Sequence, residues 1–133
     1  MTDFIVHYEG GLACRTAHPD SGAVLVTHAS RELGGSGEGF SPSDLLSVSL
    51  GGCVLSIMAM AGRVAGLELA GATATVTKEM GNAPRRITTL AVTVRVPGMF
   101  DAAQRRRLEA AAQACPVHAV LGIDAPIRIV WED

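Results

Sequence analysis

The longest apolar stretch of the chain runs from Ser41 to Arg63, SPSDLLSVSLGGCVLSIMAMAGR, and carries no charged side chain between Asp44 and Arg63. Its opening reads as the start of a helix. Ser41 suits the N-cap, Pro42 the first helical position, and Asp44 the place from which a capping-box acid reaches back. Apolar side chains then occur on all sides rather than along one stripe, which predicts a helix buried all round. The run reaches the length of a membrane span, about 18 residues. Ser47, Ser49, Ser56 and two glycines interrupt it, however, and strand-like segments flank it, so the reading is a central buried helix.

Shorter periods surround this helix. Residues 4–8, 12–17 and 23–28 read as three strands joined by Glu9-Gly10-Gly11 and by His18-Pro19-Asp20-Ser21-Gly22, which predicts an antiparallel meander. Residues 32–40 hold four glycines without phosphate-loop spacing, so a flexible connection is expected. Threonine alternates with Ala and Val over 71–80, and a longer strand follows over 86–96, giving a hairpin. Asp101 caps an amphipathic helix that presents Arg105, Arg106 and Arg107 to solvent and stops before Cys115, which the following Pro116 pushes out of helical geometry. A short helix restarts at Pro116, and residues 127–131 form the last strand. This order predicts one α+β domain, residues 1–133, with an antiparallel or mixed sheet. A helix apolar on every face is hard to cover in so small a chain, so an intertwined homodimer is expected.

Composition narrows the function. Lys and Arg number 11 against 13 Asp and Glu, a balance that argues against a nucleic-acid or membrane-surface partner. The N-terminus lacks a basic segment followed by an apolar run, so no secretory signal is expected and a cytoplasmic, reducing setting fits. The cysteines are three, Cys14, Cys53 and Cys115, and no CxxC or HExxH spacing suggests a metal; no cofactor is implied.

In such a setting Cys53 and Cys115 are either inert filler or chemistry. Cys115 sits at a helix break, where backbone N–H groups favour a thiolate. Cys53 lies deeper in its helix and gains from the dipole only if Gly51-Gly52 loosens the turn. A thiolate that attacks a peroxide becomes a sulfenic acid, which a second thiol converts to a disulfide. That cycle needs two meeting cysteines, an arginine beside the thiolate, and an acid to orient the arginine. Asp44 stands nine residues before Cys53, about 13 Å along a helix and on its opposite side, so it is either a cap or an acid acting through a bridging arginine. His118 is either a neighbour of Cys115 or an ordinary helix residue, and Cys14 reads as packing.

The segment GFSPSDLLSVSLGGC, then KEM…PRRI, then CPVHAVL resembles the OsmC/Ohr family of thiol-dependent hydroperoxide reductases, nearest its OsmC-like subgroup. The resemblance implies a swapped dimer with two sites at the subunit interface. It implies that Cys53 is the peroxidatic thiol and Cys115 the resolving one. Organic hydroperoxides are the implied substrates, and a dithiol such as a lipoylated protein the implied reductant. The chain departs from the family pattern where the reductases carry a glutamate after the helix proline; Ser43 stands here, with Asp44 next. Leu12 occupies the place of one branch's catalytic arginine. Arg31, in the loop before the helix, and Arg15, on the second strand, are the substitutes. The rival reading is a redox sensor or a module binding a fatty acyl chain in the same apolar interface.

Overall fold

In a computed structural model, which describes residues 1–132, the chain forms two compact units, Met1–Leu46 and the remainder from Ser47. The first holds β1 (Val6–Gly10), β2 (Ala13–Ala17) and β3 (Val24–His28), an antiparallel sheet in chain order. The β1–β2 turn takes left-handed φ values at Gly10, Gly11 and Leu12, a conformation that glycine tolerates freely. The first strand begins two residues later than its apolar run. Phe4 instead packs edge-on against His18, and Ile5 offers its carbonyl to Thr16 Oγ1 at 2.7 Å.

The glycine-rich connection is not the flexible link its composition suggests. A 3₁₀ turn at Arg31–Leu33 opens it, and the chain then folds back on β3, with His28 N donating to the Phe40 carbonyl and Gly37 N to that of Ala29. Its glycines are sites of close approach. A Cβ at Gly35 would collide with the Ala29 carbonyl, one at Gly37 would lie 2.8 Å from Arg31 Cγ, and one at Gly39 3.0 Å from His28 Cδ2.

The second unit contains a mixed sheet of β4 (Thr73–Gly81), β5 (Arg86–Pro97) and β6 (Ile127–Glu132), in that order. β4 and β5 form the expected hairpin, and β6 runs parallel to β5. A parallel pair requires a crossover, which α2 (Ala102–Gln113) and α3 (Pro116–Val120) supply. β5 is the central strand, and Leu90, Val92, Val94 and Val96 are all buried. Arg86 donates to the carbonyls of Asn82 and Pro84 and so holds the turn.

The long helix α1 (Pro42–Val64) begins in the first unit and continues through the second. Within one chain it is covered along a stripe, Ser47, Leu50, Gly51, Val54, Met58 and Gly62, and not all round. The reason is what lies opposite. Gly51 faces Val76 and Ala74 of β4, where a Cβ would stand 3.0 Å from Val76 Cγ2, and Gly62 faces Leu69 and Leu108. Each large side chain in this stripe contributes about 1.5–3 kcal/mol by leaving water. Val48 and Met60 lie outside the stripe and are exposed. On α2, the capping box of Asp101 and Gln104 forms as the sequence implies. Arg105 does not join Arg106 and Arg107 in solvent: it stacks over Trp131, 5.4 Å from the ring centre, and donates from Nε to the Phe100 carbonyl.

Candidate active site

Two segments distant in sequence deliver the sulfurs. Cys53 comes from the middle of α1. Its helix runs unbroken through Gly51-Gly52, so the surrounding backbone N–H groups are engaged in the helix ladder. Gly51 serves packing instead, by admitting Val76. Cys115 comes from the break between α2 and α3. Its backbone is extended, as a residue before proline should be. It is the N-cap of α3, and its Sγ accepts a hydrogen bond from His118 N at 3.4 Å.

The two thiols meet. Cys115 and Cys53 share a side-chain hydrogen bond, and both sulfurs are reduced. Their surroundings differ. Cys115 is completely buried within the apolar core, whereas Cys53 is half-exposed. Burial is the main cause pushing the Cys115 thiol above its ordinary value, and the hydrogen bond to Cys53 pushes the same way. The N–H groups of His118 and Val117 pull it down by less, and charge on Cys53 adds to the upward push. The expectation that the helix break would favour a thiolate at Cys115 is therefore reversed, because desolvation outweighs two N–H donors. A sealed thiol stands against a half-buried one.

The other candidates belong to the first unit. Asp44 completes a capping box: its Oδ2 accepts from Ser41 N at 3.0 Å while Asp44 N donates to Ser41 Oγ at 3.1 Å. Ser43 shares a hydrogen bond with Ser41 through the two hydroxyls. Arg31 is fastened, its Nε donating to the Ser36 carbonyl at 3.2 Å and its stem lying on Gly37. Arg15 is exposed on β2, opposite His7 and Val26. Cys14, paired across the sheet with Tyr8 and Thr27, is a half-buried strand residue. Along α1, Leu50 and Met58 are core and Met60 is exposed. Sequence reasoning understated Gly37, whose role as the seat of Arg31 has no local signal beyond glycine itself.

Against protein-family models, residues 35–130 match the family described as OsmC-like protein. The chain belongs to the OsmC-like protein family. Solved structures agree with this OsmC-like assignment. One, from Psychrobacter arcticus 273-4 and provisionally described as an osmotic stress induced and detoxification response protein, is 32% identical, with 98% of this chain and 96% of that one covered and a TM-score of 0.89. A protein from Vibrio cholerae, provisionally described as an organic hydroperoxide resistance protein with captopril bound in one of its active sites, is 23% identical over 97% of this chain and 92% of that one, at a TM-score of 0.73. An organic hydroperoxide resistance protein OsmC from Legionella pneumophila is 19% identical over 100% and 98% of the two chains, at a TM-score of 0.72. These latter two establish the α+β fold. No curated protein sequence matches the chain significantly.

Proposed function

We propose that this OsmC-like protein is a cysteine-based peroxidase that reduces organic hydroperoxides. The observation that carries the reading is the hydrogen-bonded thiol pair, one member half-exposed and the other sealed. The Cys53 thiolate attacks the O–O bond. It takes the terminal OH and becomes a sulfenic acid, and the alkoxide leaves and picks up a proton from water as the alcohol. The Cys115 thiol then attacks the sulfenic sulfur, forming the Cys53–Cys115 disulfide and releasing water. A dithiol, such as the lipoyl group of a lipoylated protein, reduces this disulfide by exchange and leaves as its own cyclic disulfide. The division of labour follows from burial: an attacking thiol must be reachable, whereas a resolving thiol is best kept from the peroxide.

Of the two arginines, Arg31 is assigned to the thiolate, because a side chain held by the Ser36 carbonyl and the Gly37 backbone needs little ordering at reaction time. Asp44, whose Oδ2 accepts from Ser41 N at the start of the helix, is the acid proposed to orient that guanidinium. Arg15 remains outside the chemistry. The working form is a homodimer in the cytoplasm. Supporting it are the exposed apolar side chains Phe4, Ile5, Tyr8, Val48 and Met60, and an apolar groove of about 310 Å³ along α1 and β4 lined by Val48, Gly52, Leu55 and Val76. Helix α1 has the length and hydropathy to cross a membrane, but its Leu50–Val54–Met58 stripe is satisfied within the chain, so it is read as a core helix, with neither membrane nor nucleic acid as partner.

The deciding experiment counts turnovers. Reduced protein with cumene hydroperoxide and dihydrolipoamide should consume many equivalents of peroxide per chain. Consumption of a single equivalent, with a stable oxidised form, supports the redox-sensor alternative instead.

A further inference from the structure

The geometry points to His118 as the positioning residue of the resolving thiol, an inference that rests on the peroxidase reading. Helix α3 is only five residues long and too short to hold itself in place. His118 ties it down at both ends of one residue. Its backbone N–H donates to Cys115 Sγ at 3.4 Å, and its ring Nε2–H donates to the Ala125 carbonyl at 2.7 Å. That carbonyl is a fixed point. Ala125 is buried, and its neighbours are bound to the central strand, with Leu90 N donating to the Asp124 carbonyl at 3.0 Å and Val92 N to that of Pro126 at 2.8 Å.

A line of hydrogen bonds therefore runs from β5 through residues 124–126 to the His118 ring, and from the His118 N–H to the Cys115 sulfur. The N–H at its end is one of the two groups that ease ionisation of Cys115 against its burial. When Cys115 attacks the sulfenic sulfur its own proton must leave, and negative charge develops on Sγ. A fixed N–H aimed at that sulfur stabilises the developing charge and keeps the sulfur oriented towards Cys53. The ring touches neither substrate nor reacting atom; it acts through the backbone it anchors. Gln at this position retains an N–H able to reach the carbonyl, whereas Ala does not.

The test compares the full chain with its His118→Ala and His118→Gln variants after one equivalent of cumene hydroperoxide. Dimedone traps the Cys53 sulfenic acid, and intact mass reports the disulfide. The Ala variant should consume peroxide within about twofold of the original chain but close the disulfide about fivefold to tenfold more slowly, the scale of one buried hydrogen bond. Dimedone adduct should accumulate accordingly. The Gln variant should restore closure to within about threefold. Hydrogen exchange of the position-118 amide in the reduced proteins should quicken with Ala and not with Gln. Unchanged closure with Ala, no rescue by Gln, or equal amide exchange in all three overturns the inference. If the original chain itself forms no disulfide, the peroxidase reading falls, and the amide exchange still decides whether the ring anchors α3.

Discussion

Cys115 lies fully buried with its thiol hydrogen-bonded to the half-exposed thiol of Cys53. One helix centre and one helix break thus supply a thiol pair in which one residue is sealed and the other only half-buried.

The two sulfurs should respond differently to replacement. Cys53→Ser should abolish hydroperoxide consumption. Cys115→Ser should leave the first turnover intact while removing the disulfide, so that Cys53 stops at the sulfenic acid or is oxidised further. Steady-state assays with dihydrolipoamide and a single-turnover peroxide assay separate the two. Full activity in the Cys53 variant would exclude that residue as nucleophile.

The raised Cys115 value has a signed consequence for stability. Its folded pKa exceeds that of the unfolded chain, so above the unfolded value the unfolded state binds fewer protons and stability falls with rising pH. The thiol's contribution is complete below about pH 8.5, the ordinary cysteine value, and is lost as pH climbs towards the higher folded value. Urea unfolding under reducing conditions from neutral to alkaline pH should show this decline, and Cys115→Ser should flatten it. Disulfide closure should accelerate over the same alkaline range.

The arginines are separable. Arg31→Ala should slow peroxide attack by about a hundredfold, the scale for removing one strong donor from a transition state. Arg15→Ala should leave the rate near that of the original chain. Gly37→Ala tests the seat of Arg31: position 37 has φ 66° and a Cβ would press on Arg31 Cγ. It should slow the same step without abolishing the fold. Stopped-flow measurement of peroxide consumption under single turnover ranks the three.

Gly52 reports on the outer face of α1. Among the described residues, nothing beyond the helix's own neighbouring turns lies within 4 Å of a Cβ there. In a chain acting alone, Gly52→Leu would stabilise the helix by up to about 1 kcal/mol. Covered by a second copy, the same change overpacks the interface and costs about 1–3 kcal/mol. Destabilisation in urea, with a weaker dimer by analytical ultracentrifugation, is the expected result.

Much of this arrangement was legible in the residues. The capping signals at Ser41 and Asp101, the proline after Cys115 and the alternation of threonine with Ala and Val in β4 are local rules, and each element formed within two residues of where its rule placed it. What escaped was set by packing partners. Nothing in the composition of the loop over 34–39 says that its glycines admit Ala29, Arg31 and His28, since close approach is a property of the neighbour. Likewise, a helix break favours a thiolate in isolation, but at Cys115 the closed core around it reverses the balance. Arg105 reads as solvated from helical spacing until Trp131, far along the chain, is brought beneath it. The pairing of Cys53 with Cys115 came from resemblance and not from spacing.

The most direct measurement is peptide mapping by mass spectrometry after reduced protein receives one equivalent of cumene hydroperoxide. A single cross-linked peptide joining Cys53 to Cys115, with Cys14 still alkylatable, is the expected product. Free Cys115 beside a Cys53 that is unmodified, or linked to Cys14, would contradict the account.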